Sequence, residues 1–140
     1  MTDEEQAKWR ARMRTVMVGT NFIAGLGAEV QTWTEEEVVL RVPFAERLTN
    51  DGSEYHGGVI AALMDTAGAA AVWAGHDFDK GLRASTVSMT VNYTGRAKGD
   101  LLATARCVKR GRDVSFSEIR VEDPSGTLVA IGTLVYRIVP

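Results

Sequence analysis

The run from Gly57 to Gly75 constrains the fold of this chain more than any other segment. It consists mainly of alanine, glycine and larger apolar residues, and Asp65 is its only charged residue. This length and composition predict one long helix in the interior of a domain. An ionised carboxylate is costly away from water, so we expect Asp65 to be hydrogen-bonded or to act in a site.

His56, Gly57 and Gly58 stand at the predicted start of this helix. Glycines lack a Cβ atom and therefore let a ligand approach the free backbone N–H groups of a helix N-terminus. The positive end of the helix dipole lies at the same place. The three residues therefore predict a site that holds an oxyanion.

The spacing of these features predicts a site shared between two chains. Asp65 lies eight residues beyond Gly57, which is about 12 Å along a helix axis and too far for both to act on one carbonyl group. If both act on one substrate, they come from two chains. An antiparallel pairing of the helix with its copy across a two-fold axis would bring Gly57 of one chain near Asp65 of the other.

The composition indicates a single domain and excludes several classes of protein. The chain has 140 residues with a formal net charge of -2, so nothing attracts it overall to nucleic acid or to an anionic membrane. Its single cysteine, Cys107, excludes an intrachain disulfide, and two histidines leave little material for a zinc site. We therefore expect no metal and a reducing, cytoplasmic location.

The N-terminal segment predicts a short amphipathic helix. Thr2 and Glu5 fit a capping box, and apolar side chains recur at helical spacing from Trp9 to Met17. The acidic start does not resemble a secretory signal. We expect residues 1–19 to form an extension that lies on the body of the domain and not on a membrane.

A membrane span is also disfavoured for the long apolar segment. Its length is nearly sufficient, but Asp65 stands close to its middle. A carboxylate at the centre of a membrane helix costs about 2.5 to 3.5 kcal/mol. We therefore expect no membrane partner.

Beyond Gly75 the hydrophobic period changes to two, which predicts strands. In the first strand, apolar residues at Val87 and every second position up to Tyr93 alternate with polar ones. We expect the apolar set to face the core and the polar set, which includes Thr86 and Ser88, to face outwards.

Five further strands complete the prediction. They cover Gly27–Trp33 and Glu37–Phe44 as a hairpin before the long helix, then Leu101–Cys107, Val114–Glu122 and Leu128–Val139 after it. The apolar phase slips between Phe116 and Ile119, and we expect a β-bulge there. One long helix beside about six antiparallel strands is an α+β arrangement in which the sheet must curl around the helix.

Several motifs follow one another along the chain. They are Asn50-Asp51-Gly52, His56-Gly57-Gly58, Asp65, Asn92-Tyr93, Lys98-Gly99-Asp100, Gly111-Arg112 and the segment Gly126 to Ala130. Together they resemble the hot-dog-fold acyl-CoA thioesterases of the phenylacetate-pathway (PaaI-like) type over about residues 20 to 138. The resemblance implies one hot-dog domain over residues 20–140, with a central helix wrapped by a curved antiparallel sheet.

The resemblance also implies roles for individual residues. Asp65 matches the catalytic carboxylate, which the neighbouring subunit presents in this family. Asn50, His56 and Gly57 match the set that positions the thioester, with the Gly57 N–H as the oxyanion donor. Thr86 stands where related enzymes carry a Ser or Thr that orients water.

These residue types suit thioester hydrolysis. The tetrahedral intermediate places negative charge on the former carbonyl oxygen, and a fixed backbone donor stabilises it by about 2.7 to 4 kcal/mol. Asp65 can act either as a general base toward water or as a nucleophile toward the carbonyl. We expect Gly58 to contact the substrate, and Lys109, Arg110 and Arg112 to bind coenzyme A phosphates.

We therefore expect a homo-oligomeric acyl-CoA thioesterase, a dimer or a dimer of dimers, that needs no cofactor. Two other functions stay open. A hot-dog hydratase of enoyl thioesters would bring an acid and a histidine together near the helix start, whereas His56 and Asp65 are nine residues apart. A non-catalytic module that binds acyl thioesters would need no carboxylate, so Asp65 favours the enzyme.

Overall fold

Helices and strands follow one another in the predicted order. The computed structural model describes residues 1–140. The helices are α1 (Asp3–Gly19), α2 (Asn21–Ala24) and α3 (Gly57–Ala74), and short 3₁₀ turns cover Glu46–Leu48 and Phe78–Lys80. The strands are β1 (Glu29–Trp33), β2 (Val38–Val42), β3 (Arg83–Tyr93), β4 (Leu101–Arg110), β5 (Val114–Glu122) and β6 (Leu128–Val139).

The six strands form one antiparallel sheet in the spatial order β1-β2-β4-β5-β6-β3. The long helix α3 packs against β2, β4, β5 and β6, so the core lies between the helix and one face of the sheet. The predicted α+β arrangement is confirmed. Because β3 pairs only with β6, it is an edge strand.

Small residues let α3 approach the sheet closely. A Cβ atom added at Gly68 would lie 2.8 Å from a methyl carbon of Leu134, so no larger residue fits there without a shift. By length and composition α3 could cross a membrane, but 67% of it is buried inside the domain. It is the core helix of this fold, as its alanine and glycine content predicts.

The β-bulge expected in β5 between Phe116 and Ile119 lies instead on the neighbouring strand β4, where Val108 is the extra residue opposite Phe116 and Ser117, so the prediction was wrong about the strand. Burial alternates along β5 without interruption, and Ser115 and Ser117 take the inward positions. The apolar phase slips because two inward residues are serines. The Ser117 hydroxyl donates a hydrogen bond to the Gly68 carbonyl at 2.9 Å, which satisfies this buried polar group.

The N-terminal helix α1 lies on the body of the domain. Thr2 and Glu5 form the predicted capping box, with hydrogen bonds in both directions. The Trp9 ring stacks on Phe78 with their centroids 6.0 Å apart. The division of the chain into an extension over residues 1–19 and a domain from residue 20 stays a prediction.

His76 follows α3 directly and is buried against two aromatic rings. Its ring meets those of Trp73 and Phe78 edge to face, with centroids 5.1 and 5.2 Å away, and its Nε2 donates to the Gly81 carbonyl at 2.9 Å. Desolvation by burial lowers the pKa of His76; the hydrogen bond to Gly81 acts in the opposite direction, and the nearby charge of Arg110 adds to the lowering. The folded chain therefore favours the neutral imidazole.

We predict a loss of stability at mildly acidic pH that originates at His76. The unfolded histidine takes up a proton near about pH 6.5, whereas the folded one resists it, so stability is full above that pH and falls as pH drops below it. Urea unfolding at about pH 7.5 and about pH 5.5 measures the difference. His76→Gln keeps an N–H for Gly81 without titrating and should show a smaller loss; equal losses in both proteins would contradict the assignment.

Candidate active site

The start of α3 presents one free backbone donor. His56 Nδ1 accepts a hydrogen bond from the Gly58 N–H at 2.8 Å, and the His56 carbonyl accepts one from the Val59 N–H at 2.9 Å. The Gly57 N–H has no acceptor within the chain. The free donor therefore lies at the position where the sequence predicts the oxyanion hole, although that role stays a prediction.

The histidine cap explains why glycine stands at position 58. A Cβ atom there would lie 2.9 Å from His56 Nδ1, so a side chain would displace the ring. Because Nδ1 accepts a hydrogen bond, Nε2 is the ring nitrogen that carries the N–H. The His56 ring is exposed, so its Nε2–H is a second donor beside the Gly57 N–H.

Tyr93, at the end of β3, closes over Gly57. Its hydroxyl donates to the Gly57 carbonyl at 2.7 Å. A Cβ atom on Gly57 would lie 3.3 Å from the Tyr93 hydroxyl oxygen and from the ring carbon that carries it. The Asn92-Tyr93 motif did not predict this contact, although an aromatic residue at the end of an alternating strand could have indicated it.

Asp65 and Thr86 lie in direct contact, and the role of Thr86 in orienting water stays a prediction. The Thr86 hydroxyl donates to Asp65 Oδ1 at 2.6 Å. Asp65 is half-buried and not enclosed in the core, so its carboxylate remains accessible from one side of α3. Tyr136 is close by: burial raises the pKa of Tyr136, its hydrogen bond from Trp73 lowers it, and the negative charge of Asp65 raises it further.

A β-bulge turns Thr86 toward Asp65. Thr86 pairs with the buried Tyr136 of β6, Ser88 pairs with Val135, and Val87 is the extra residue between them. Residues that pair directly face the same side of a sheet, so Thr86 faces inwards and Ser88 outwards. The prediction of an outward position was therefore wrong for Thr86 and right for Ser88. Bulges commonly re-aim a side chain in this way.

Asn50 lies in the loop that leads to α3. Its side chain is exposed, and its backbone N–H donates to the Glu54 carbonyl at 2.9 Å. Asp51 holds the loop by accepting hydrogen bonds from the N–H groups of Glu54 and Ser53, which lower the pKa of Asp51. The loop is therefore ordered around Asn50, and the role of Asn50 toward a substrate stays a prediction.

The basic cluster lies at the opposite end of α3 from Gly57. The Arg110 guanidinium donates to the carbonyls of Val72 at 2.9 Å and Ala71 at 3.2 Å. These bonds satisfy helix C-terminal carbonyls, a structural task that the sequence did not predict. Lys109 and Arg112 are exposed. Phosphate contacts of Lys109, Arg110 and Arg112 stay predictions.

Within one chain, the donor and the carboxylate remain apart. Gly57 and Asp65 belong to one uninterrupted helix, so about 12 Å of helix axis separates them. The structure therefore gathers these residues into two separate clusters. The Gly57 donor lies with Tyr93 and the His56 cap, and Asp65 lies with Thr86.

Comparison with known proteins gives a consistent result. Residues 55–130 match the family model of the thioesterase superfamily. A candidate esterase from Halobacterium salinarum is 36% identical over 126 residues, which cover 84% of this chain and 83% of that protein.

Two solved structures share the fold. The PaaI protein from the E. coli phenylacetic acid degradation operon has a TM-score of 0.81 and 20% identity, over 99% of this chain and 97% of that one. A hypothetical thioesterase from Streptococcus pneumoniae, solved with coenzyme A, has a TM-score of 0.70 and 21% identity, over 79% of this chain and 84% of that one. The predicted hot-dog fold is confirmed.

We predict that Arg110 contributes to stability through the end of α3. Arg110→Ala leaves two helix carbonyls without their charged donor and should lower the free energy of unfolding by about 1 to 2 kcal/mol. Urea denaturation measures this loss. Arg112→Ala is the matched control, because Arg112 is 93% exposed and approaches only Asp113, at 3.6 Å. Equal stability of the two variants would contradict the capping role.

Proposed function

Since the chain belongs to the thioesterase superfamily, we propose that it hydrolyses acyl-CoA thioesters to a free acid and coenzyme A. One observation carries the proposal: a free N–H donor and a hydroxyl-bonded carboxylate lie on the same helix, one at Gly57 and one at Asp65. The coenzyme A bound to the Streptococcus pneumoniae thioesterase supports this substrate class.

The exposed side of α3 supports a site shared between two chains. Its residues that are not buried are Gly57, Gly58, Val59, Ala61, Ala62 and Asp65. The uncovered part begins at Gly57 and ends at Asp65, with Ala61 in the middle. A second copy packed antiparallel around a two-fold axis at Ala61 would place each Gly57 opposite Asp65 of the partner subunit. Small side chains allow two helices to approach closely.

The edge strand β3 supports the same assembly. It is 11 residues long and carries no charge from Ala84 to Tyr93. Long uncharged edge strands pair readily with another strand. The side chains of Val87 and Tyr93 are 56% and 54% exposed and available to a partner. We therefore propose a homodimer in which the two β3 strands pair, and a pair of such dimers as a further proposal.

The proposed reaction uses groups from both chains. The thioester oxygen accepts hydrogen bonds from the Gly57 N–H and from His56 Nε2–H, and Asp65 of the partner subunit takes a proton from water. The water oxygen bonds to the carbonyl carbon, and the donors stabilise the negative charge that forms on the thioester oxygen. The carbon–sulfur bond then breaks, and the departing sulfur receives the proton that Asp65 of the partner subunit took from water, which restores the base.

Thr86 and the alternative route complete the proposed mechanism. The Thr86 hydroxyl fixes one carboxylate oxygen of Asp65 and leaves the other oxygen for water. Attack of this carboxylate on the carbonyl would instead form a mixed anhydride that water hydrolyses. Both routes release the same thiol.

The single cysteine also underlies a proposed cytoplasmic location.

Asp65→Asn tests the proposed activity. The variant keeps the size of the side chain but loses the base, so we expect turnover to fall by about 100-fold or more. Release of free thiol from short, medium, long and aryl acyl-CoA thioesters measures it. Thiol release also separates hydrolysis from hydration of an enoyl thioester, which leaves the carbon–sulfur bond intact.

Asp79→Asn provides the matched control for this experiment. Asp79 is exposed and contacts the N-terminal ammonium, in a different part of the molecule from Asp65. The control should keep its turnover. If Asp65→Asn retains more than about a tenth of the wild-type turnover, Asp65 is not the base.

Complementation tests the shared site. Asp65→Asn and His56→Ala chains should each be inactive alone, but a heterodimer contains one site with both groups intact. Co-expression of the two chains in equal amounts should restore about a quarter of the wild-type activity, because half of the dimers are mixed and each has one working site. Native mass spectrometry verifies the heterodimers. Verified heterodimers without activity would show that each site is built within one chain.

A further inference from the structure

The peptide group between Gly57 and Gly58 is held at both of its polar atoms. Its oxygen accepts a hydrogen bond from the Tyr93 hydroxyl at 2.7 Å, and its N–H donates to His56 Nδ1 at 2.8 Å. Two consecutive glycines give the backbone its greatest conformational freedom. Restraints on this peptide therefore determine how the neighbouring Gly57 N–H is oriented.

From this geometry we propose that Tyr93 is a positioning residue for the oxyanion donor at Gly57. The proposal rests on the proposed function, because it assigns Tyr93 a role in that reaction. Tyr93 acts through the backbone and not on the substrate. Its hydroxyl fixes the Gly57 carbonyl and, with the His56 cap, keeps the Gly57 N–H directed toward the thioester oxygen.

The hydrogen bond from Tyr93 is additional to those that α3 makes by itself. As the first residue of the helix, Gly57 has a carbonyl whose regular partner is the N–H of Ala61, four residues on. A carbonyl oxygen can accept two hydrogen bonds. The bond from Tyr93 therefore restrains a group that the helix already satisfies, which favours a positioning role over a purely structural one.

The Tyr93 ring adds a steric restraint. It lies against the Cα atom of Gly57 so closely that a Cβ atom there would be 3.3 Å from the ring. The side chain is nevertheless 54% exposed, so it contributes little to the core. Removal of its hydroxyl should consequently leave the fold intact.

The strand that carries Tyr93 also carries Thr86. Thr86 contacts Asp65 and Tyr93 contacts Gly57, and both contacts come from β3. In the proposed dimer these two contacts of one chain belong to different sites, so a single strand provides one hydroxyl group to each of the two sites. Because β3 is continuous, it connects the two sites of the proposed dimer.

Tyr93→Phe tests this role, since it removes only the hydroxyl. We expect kcat for acyl-CoA hydrolysis to fall by about tenfold while KM changes by less than about twofold, because the loss concerns the transition state. The Gly58 amide should also exchange its hydrogen about ten times faster in the absence of substrate, as measured by NMR. Size-exclusion chromatography checks that the assembly is unchanged.

Tyr55→Phe is the matched control. Tyr55 directly precedes His56, and its buried hydroxyl makes no hydrogen bond to His56 or to the peptide between Gly57 and Gly58. The same chemical change should therefore leave both kcat and the Gly58 exchange rate unchanged. A decrease in kcat that the two variants share would show a general effect of mutation and overturn the proposal.

Two further outcomes would overturn the role of Tyr93. One is a Tyr93→Phe protein with wild-type kcat. The other is a lower kcat with unchanged exchange at Gly58, because the hydroxyl would then act elsewhere than on the peptide. The exchange experiment needs no substrate. If the wild-type protein releases no thiol, the proposed activity fails, while exchange at Gly58 still shows whether Tyr93 restrains the peptide.

Discussion

The close contact between α3 and the sheet is the constraint on which the rest of the structure depends. Gly68 of the helix meets Leu134, and Gly132 of the sheet meets Met64, both at distances that exclude a Cβ atom without a shift. The larger side chains of α3 therefore fill the space on the sheet side, where burial of apolar area stabilises the fold. The side that a partner or substrate can reach carries Gly57, Gly58, Val59, Ala61, Ala62 and Asp65.

The backbone groups at the two ends of α3 are satisfied differently, and this difference supports the proposed oxyanion hole at Gly57. At the C-terminus, Arg10 donates to the Ala74 carbonyl at 2.8 Å, and Arg110 donates to carbonyls one turn earlier. Two cations from distant parts of the chain thus complement the negative end of the helix dipole. At the N-terminus His56 accepts hydrogen bonds from the N–H groups of Gly58 and Val59, and the N–H of Gly57 stays free. Only this end can still bind a negatively charged oxygen.

Sequence periodicity predicted the strands and the central helix but not how individual polar side chains are directed. Thr86 turns inwards because the extra residue Val87 shifts the phase of β3, and alternation alone does not reveal where such a residue is accommodated. Ser117 occupies a core position because a helix carbonyl accepts its hydrogen bond. Arg110 finds its partners in α3, far away in the sequence. Each of these outcomes depends on a tertiary contact.

In the proposed dimer, assembly and catalysis become one event. Without an opposing carboxylate, the Gly57 N–H can bind a thioester oxygen but cannot activate water. Without the Gly57 N–H, Asp65 can activate water, but nothing stabilises the charged tetrahedral intermediate that results. An uncharged edge strand is a liability in a monomer because it pairs with any available strand. Here the same strand holds Tyr93 against Gly57 and Thr86 against Asp65. Pairing through β3 would therefore cover the edge and complete both sites together.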